Sequence, residues 1–487
     1  VNKPLRRIAI FCGLLMLALL VRTNYLQYVR ADELNSRKEN RRVQIERYAH
    51  KRGDIIVDNK AITGSVETSG SDFKYKRVWK NGPMWAPVTG YSSQAFDSSQ
   101  IENIEDGILT GNSDQLFFDR TMAMFTGEEK KGGNVVLTLN AKAQQKAFDG
   151  LGKKRGAVVA LDPKTGAILA LASTPSYDPS VFAGNSKTDE KNRQVLLNDK
   201  NKPMLNRALR ETYPPGSTFK VVTAAAALED GLYKDINEKT DSPLPWRLPL
   251  STKDLNNEGD IPCKDASLKL ALQVSCNTVF GKISDDLGNE KMIKQADRFG
   301  FNKEHFTPVR ADASVYPEAD RPQNAMGGIG QASNRTTPLQ MAMVAAAIAN
   351  DGKLMKPYMV EKRTAPNLDV ISNHKPEEFG EAVSGDNAQK LQEMMEAVVE
   401  DGTGKRAQID RDGVTVGGKT GTAQHGVNNS ENPYAWFISY AKTDKGSPVA
   451  VAVVIEGSDT TRDDIAGGRL AAPIAKDVME AVLDSKK

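Results

Sequence analysis

The strongest local constraint in this chain is Tyr213-Pro214-Pro215-Gly216-Ser217-Thr218-Phe219-Lys220, which runs into Val221-Val222-Thr223 and then an alanine run, Ala224 to Ala227. Two prolines and a glycine bar a helix from starting earlier, the alanines favour one, and Asp230-Gly231 ends it. Ser217 is thereby set at a helix N-terminus. Residues three apart on a helix share a face, so Lys220 can bring its amine beside the Ser217 hydroxyl, while the first helical N–H groups lack intrahelical partners. A nucleophile, a base and free donors coincide in one turn.

A chain of 487 residues is long for one domain and predicts two or three. Hydrophobic content of 39% with 26% charged residues is that of a folded protein with a sizeable core. The net charge of +3, without a basic stripe interleaved with aromatics, speaks against nucleic acid as a partner. Three cysteines (Cys12, Cys263, Cys276) and four histidines (His50, His305, His374, His425) have no metal-ligand spacing, so neither metal nor cofactor is expected. Cys263 and Cys276 either pair in an oxidising compartment or remain two reduced, buried thiols.

Residues 8–21 form an unbroken apolar run preceded by Lys3, Arg6 and Arg7, and the apolar character resumes to residue 29. A cleaved signal needs a small-x-small site, and Val21-Arg22-Thr23-Asn24 is not one. The expectation is an uncleaved transmembrane anchor over 8–29, a cytoplasmic tail over 1–7, and all that follows outside the cytoplasm. Residues 30–155 read as a mixed, non-catalytic pedestal, loop-like over 82–119 and without a constellation of titratable groups that suggests chemistry. From 156 the texture changes. Apolar strands over 156–162 and 167–173 flank the turn Pro163-Lys164-Thr165-Gly166, and a polar, irregular stretch covers 180–210. Helical patterns follow at 268–274, 278–287, 338–350 and 388–400, then strands at 414–423, 435–441 and 449–455, and a closing helix at 470–483. This order predicts an α+β domain over 156–487, an antiparallel five-stranded sheet covered by helices on both faces.

Ser-x-x-Lys is a weak pattern by itself, and the chain holds four copies, at Ser71, Ser217, Ser372 and Ser439. Lys-Thr-Gly occurs at Lys164 and Lys419, and Ser-x-Asn at Ser275 and Ser430. Context selects among them. Only Ser217 follows a Pro-Gly junction into a helix, and Pro376 disfavours helix at Lys375 in the Ser372 copy. Ser275-Cys276-Asn277 lies between two helical patterns, 58 residues on (from 217 to 275), and Lys419-Thr420-Gly421-Thr422 lies in a strand a further 144 on (from 275 to 419). Lys164 is explained by its hairpin turn.

Ser-x-x-Lys, Ser-x-Asn and Lys-Thr-Gly in this order are a known signature of penicillin-interacting enzymes. With Pro215 to Lys220, Ser275 to Asn277, Gly418 to Ala423, Gly328-Ile329-Gly330-Gln331 and Arg52-Gly53-Asp54-Ile55-Ile56, the chain resembles a class B penicillin-binding protein. It is most like the short penicillin-binding protein A type of actinobacteria. The resemblance implies a membrane-anchored D,D-transpeptidase that crosslinks peptidoglycan stem peptides, is acylated by beta-lactams, and works with a SEDS-family glycosyltransferase. Alternatives from other classes are a beta-lactam sensor and a non-catalytic scaffold of the wall machinery. A beta-lactamase shares the three motifs but in a chain about half as long.

The same resemblance implies the roles. Ser217 attacks the D-Ala-D-Ala carbonyl with Lys220 as base. Ser275 relays a proton to the leaving amine, and Asn277 bonds the substrate amide and orients Lys220. Lys419, Thr420, Gly421 and Thr422 hold the terminal carboxylate, and the backbone N–H groups of Ser217 and Thr422 form the oxyanion hole. Two ammoniums about 4 Å apart repel by about 4 kcal/mol at an effective dielectric of ~20, so Lys419 is expected to favour a neutral Lys220. Cys276 is expected to pack rather than react.

Overall fold

The computed structural model describes residues 3–35, 37, 40–69, 72–127, 129–426, 429–457 and 461–486; the Ser71 motif copy lies outside them. Strands β1 (Arg155–Leu161) and β2 (Ile168–Thr174) form the expected hairpin, and β3 (Thr415–Ala423), β4 (Tyr434–Thr443) and β5 (Gly446–Gly457) complete the sheet. Its order is β3-β4-β5-β1-β2, antiparallel throughout. Successive strand residues face opposite sides. Val158, Ala160, Val451 and Val453 pack into the core of helices α1 (Ala141–Leu151) and, at the end of the chain, Ala472–Ser485. Ala157, Val159, Ala452 and Val454 face the opposite core, with α2 (Lys220–Glu229) and the helix Pro338–Ala349, which is buried at every position. Both faces are covered, so these strands are apolar on both sides instead of alternating, and each fully buried valine contributes about 1.5–3 kcal/mol.

The two edges of the sheet differ. Along β2 the Gln144 side chain bonds the N–H of Leu171 at 2.8 Å and its carbonyl at 2.9 Å, and Asn140 N–H donates to Leu169 O at 2.8 Å. That edge is closed by α1. The β3 edge borders the cleft described below.

Two expectations are corrected. The stretch 180–210 holds the helix Lys187–Asn198, started by a capping box between Ser186 and Asp189; no residue of it is buried, so no apolar periodicity betrayed it. Within 82–119 the helices Gly82–Thr89, Gln100–Ile104 and Asp106–Leu109 form despite Pro83 and Pro87, because Met84, Trp85 and Val88 insert into the core. Tertiary burial there outweighs propensity. The N-terminal module, expected to be structural, holds a buried network of charge. Arg52 Nε and Arg77 Nε each donate to one Glu102 oxygen at 2.6 Å, and Arg52 Nη1 reaches Asp106 at 2.6 Å. Glu102, Arg52 and Arg77 are buried; although burial opposes it, the two guanidiniums hold the Glu102 carboxyl below its usual range.

A second five-stranded sheet joins strands distant in sequence: Val370–Asn373, Val360–Thr364, Asn134–Leu137, Ile55–Val57 and Lys60–Ala61. Residues 360–373 thus leave the C-terminal part to complete the N-terminal sheet. At the N-terminus, the 27-residue segment Lys3–Val29 is long and apolar enough to cross a membrane and is nowhere buried.

Candidate active site

Ser217 lies in a 3-10 turn, Gly216–Phe219, that leads directly into α2, so Lys220 opens the α-helix. The chain reaches this turn through Gly216 at φ +55°, a conformation that favours glycine. Gly216 N–H donates to Gly330 O at 2.9 Å, and Gly330 itself has φ +77°. A Cβ on Gly330 would overlap the Gly216 carbonyl oxygen and sit 2.6 Å from Gly216 C and N. The Gly328-Ile329-Gly330-Gln331 stretch is therefore the backstop of the serine turn. Thr218 Oγ1 donates to Pro215 O at 2.7 Å and Trp436 Nε1 to Pro214 O at 3.1 Å, which pins the turn from the other side.

Ser275 sits between α3 (Leu268–Gln273) and α4 (Asn277–Leu287) with φ +68°, outside the range most residues adopt. The start of α4 is capped from a distance: Asn257 Oδ1 accepts from the N–H groups of Asn277 at 2.6 Å and Thr278 at 3.1 Å. Asn277 Nδ2 donates to Asn256 O at 3.1 Å, and Cys276 is disulfide-bonded to Cys263. Of the two readings left open for these cysteines, the pair is the one observed. The loop 256–263 is stapled to the Ser-x-Asn turn at three points.

Lys220 is fully buried, and its Nζ lies 2.6 Å from Asn277 Oδ1, 2.8 Å from Ser275 O and 3.2 Å from Ser275 Oγ. No hydrogen bond joins Nζ to the Ser217 hydroxyl, so the expected contact is one of shared wall rather than direct bonding. A neutral amine that donates its two protons to Asn277 Oδ1 and Ser275 O keeps a lone pair free to accept one. Burial drives Lys220 well below the ordinary lysine value, Lys419 adds to the shift, and Glu258 opposes it. Burial, not charge repulsion, is thus the larger cause. Lys419 is also fully buried and is lowered to about 7 by burial, against the pull of Glu258. Its Nζ donates to Thr420 O at 3.0 Å, and the Thr420 hydroxyl shares a 2.6 Å hydrogen bond with Thr403.

Ser217, Ser275, Asn277, Thr420, Gly421 and Thr422 line one open cleft of about 450 Å³, with the two lysines behind its wall. Gly421 permits the close approach: a Cβ there would lie 3.0 Å from Thr218 Cγ2 and 3.1 Å from Pro215 O. The other motif copies stay apart. Ser439 is buried on β4, Ser372 is in the strand Val370–Asn373, and Lys164 is in the β1–β2 turn. Sequence reasoning missed Glu258, Thr403, Lys405, Arg406 and Arg469, which line the same cleft from segments without a motif.

A serine at a helix start, a buried lysine and a Lys-Thr-Gly edge strand on this sheet define the class. Residues 156–480 match the family described as "Penicillin binding protein transpeptidase domain", and the chain belongs to that family. Residues 52–135 match the family described as "Penicillin binding protein A dimerisation domain". More narrowly, the chain is 40% identical to "Peptidoglycan D,D-transpeptidase PbpA" of Mycolicibacterium smegmatis over 99% of each sequence. It is likewise 40% identical to the protein of that name from Mycobacterium tuberculosis over 100% of each. Its fold is similar to the solved ceftriaxone acyl-enzyme complex of penicillin-binding protein A from M. tuberculosis, with TM-score 0.85 and 39% identity over 90% of this chain and 100% of that one.

Proposed function

We propose that this protein is a peptidoglycan D,D-transpeptidase that works through a Ser217 acyl-enzyme and is acylated there by beta-lactams. The observation that carries the proposal is the convergence of Ser217, Ser275, Asn277 and the Thr420–Thr422 strand on one cleft, with Lys220 hydrogen-bonded to both members of the Ser-x-Asn pair. In this reading Lys220, held neutral by burial, accepts the Ser217 proton as Oγ attacks the penultimate D-Ala carbonyl. The N–H groups of Ser217 and Thr422 stabilise the oxyanion, each such donor being worth about 2.7–4 kcal/mol. Ser275, within reach of Lys220 Nζ, passes a proton to the departing D-Ala amine, and Asn277 orients Lys220 and bonds the substrate amide.

The open β3 edge suits an extended peptide, which can add to it as a further strand, while β2 at the far edge is already covered. Lys419 with Thr420, Gly421 and Thr422 receives the terminal carboxylate. The chain is read as a tail over 1–7, an anchor over 8–29, a pedestal over 30–155 and a transpeptidase domain over 156–487, single-pass in the cell membrane with the cleft outside. Glycan polymerisation falls to a SEDS-family partner, which co-purification from membranes tests. For the central claim, Ser217→Ala abolishes covalent labelling by a fluorescent penicillin; persistent labelling moves the nucleophile elsewhere.

A further inference from the structure

Charges of both signs line the cleft. Glu258, exposed, is on the loop stapled to the Ser-x-Asn turn, while Lys405, Arg406 and Arg469, also exposed, come from segments next to β3; Lys405 and Arg406 also border a neighbouring groove with Glu400 and Asp410. Two of the three cations are already matched by carboxylates that do not line the cleft: Lys405 with Asp401 at 2.6 Å, and Arg469 with Asp464. Among the described residues, the Arg406 guanidinium and the Glu258 carboxylate have no hydrogen-bond or ion-pair partner. The Glu258 charge is nonetheless felt at the base of the cleft, where it opposes the loss of the proton from both buried lysines. Its loop is held in place on either side, by Asn256 O and Asn257 Oδ1 against α4 and by the Cys263–Cys276 bond.

The position of Arg406 relative to the reaction follows from the strand. With the acyl carbonyl at Ser217 and Thr422, the path to the terminal carboxylate runs back along β3 toward Thr420 and Lys419. Thr403 is bonded to Thr420 there at 2.6 Å, and Lys405 and Arg406, two and three residues further along the chain, line the same cleft. That is the side from which D-Ala leaves and by which the incoming amine must enter. Unmatched charges of opposite sign facing one cleft select a ligand that carries both.

We propose that Glu258 and Arg406 are the specificity pair for the acceptor: Glu258 receives its ammonium, and Arg406 binds a carboxylate beyond the one next to that amine. The proposal rests on the transpeptidase reading above and names the acceptor class, a zwitterionic amine with an additional free carboxylate. The step balances. The ammonium loses one proton to solvent past Glu258, and the neutral amine attacks the acyl carbon. The ester C–O bond to Ser217 breaks as the amide C–N bond forms, and the second amine proton returns through Lys220 to Ser217 Oγ.

The test uses the full-length protein, a donor peptide ending in D-Ala-D-Ala, and D-glutamate or D-glutamine as competing acceptors, with products resolved by mass spectrometry. The ratio of aminolysis to hydrolysis is read within one acyl-enzyme population, so it does not depend on how much protein is folded. The unmodified protein should prefer D-glutamate by about 2- to 5-fold, the range of an exposed ion pair, and the preference should shrink as salt rises. Arg406→Ala should remove the preference and Arg406→Glu invert it. Glu258→Gln should lower aminolysis of both acceptors by about 2- to 5-fold and leave their ratio standing. No preference in the unmodified protein, a preference that survives Arg406→Ala, or undiminished aminolysis in Glu258→Gln overturns the proposal. A protein that neither binds penicillin covalently nor releases D-Ala brings down the transpeptidase reading and this proposal together, whereas penicillin labelling without acceptor preference brings down this proposal alone.

Discussion

Gly330→Ala isolates what the backstop does for the nucleophile. Two penalties meet at this position. At φ +77° an alanine is strained by about 1–2 kcal/mol, and its Cβ would overlap the Gly216 carbonyl oxygen while sitting 2.6 Å from Gly216 C and N. Those are backbone atoms and cannot rotate away. Relief requires Gly216 and the attached Ser217 turn to shift by about 1 Å, and a misplacement of that size at a reacting group costs about 10²-fold in rate. Gly231→Ala is the control: at φ +73° it carries the same strain, but a Cβ there meets nothing within 4 Å. Gly231→Ala should lose about 1–2 kcal/mol of stability in a thermal denaturation series, and Gly330→Ala more, because the backbone overlap adds to the same strain. The second-order rate constant for acylation by a fluorescent penicillin should fall about 10²-fold in Gly330→Ala and stay near normal in Gly231→Ala. If Gly330→Ala acylates at the unmodified rate while folded, the backstop does not position Ser217. Equal losses in both variants would assign the effect to strain alone.

Lys419, lowered by burial to about 7, gives up its charge as pH rises through neutrality; kcat/KM for a D-Ala-D-Ala peptide, whose terminal carboxylate that charge is proposed to hold, should therefore decline above about pH 7. Because the unfolded chain keeps the Lys419 proton up to its ordinary value of 10.5, stability should rise with pH between about 7 and 10.5, and Lys419→Met should lessen that rise in denaturant titrations, leaving the part due to Lys220. Removing the Glu258 carboxylate, which opposes deprotonation of Lys419, should move the alkaline limb of kcat/KM to lower pH in Glu258→Gln. In the N-terminal module, Glu102→Gln leaves Arg52 and Arg77 buried without their shared anion and should destabilise by about 3–5 kcal/mol, read as a lowered denaturation midpoint; an unchanged midpoint would show the network to be dispensable.

The parts of the molecule legible in its sequence are those specified by near neighbours. The Ser217 helix start is written in five consecutive residues, and the hairpin of β1 and β2 in one turn, so both follow from chain stiffness and apolar pattern alone. The family motifs add three stretches that no local rule would have joined, and their order was enough to choose one Ser-x-x-Lys copy of four. What stayed hidden depends on pairings between distant segments. The strand Val360–Thr364 finds its partner at Asn134–Leu137, more than 200 positions earlier, and an isolated five-residue strand does not announce which sheet it will join. The buried Arg52–Glu102–Arg77 group reads in sequence as ordinary scattered charge, because only burial turns it into a network.

The same division runs through the cleft. In the proposed mechanism Ser217, Ser275, Asn277 and Lys419 to Thr422 serve the chemical step, whose fixed geometry demands fixed residue types in recognisable contexts. Glu258 and Arg406 lie in segments whose local sequence has no reason to differ from solvated loop: 256–263 is polar and glycine-bearing, and 401–408 is a helix exit. Only the fold turns them toward Ser217, the first through the Cys263–Cys276 bond and the asparagine cap on α4, the second through the turn that brings Thr403 onto Thr420. A serine, a lysine and a threonine strand can open any peptide that ends in two D-alanines. If Glu258 and Arg406 select the acceptor, which amine then closes the bond depends on charges at the rim, and those are set by tertiary contacts that no motif records.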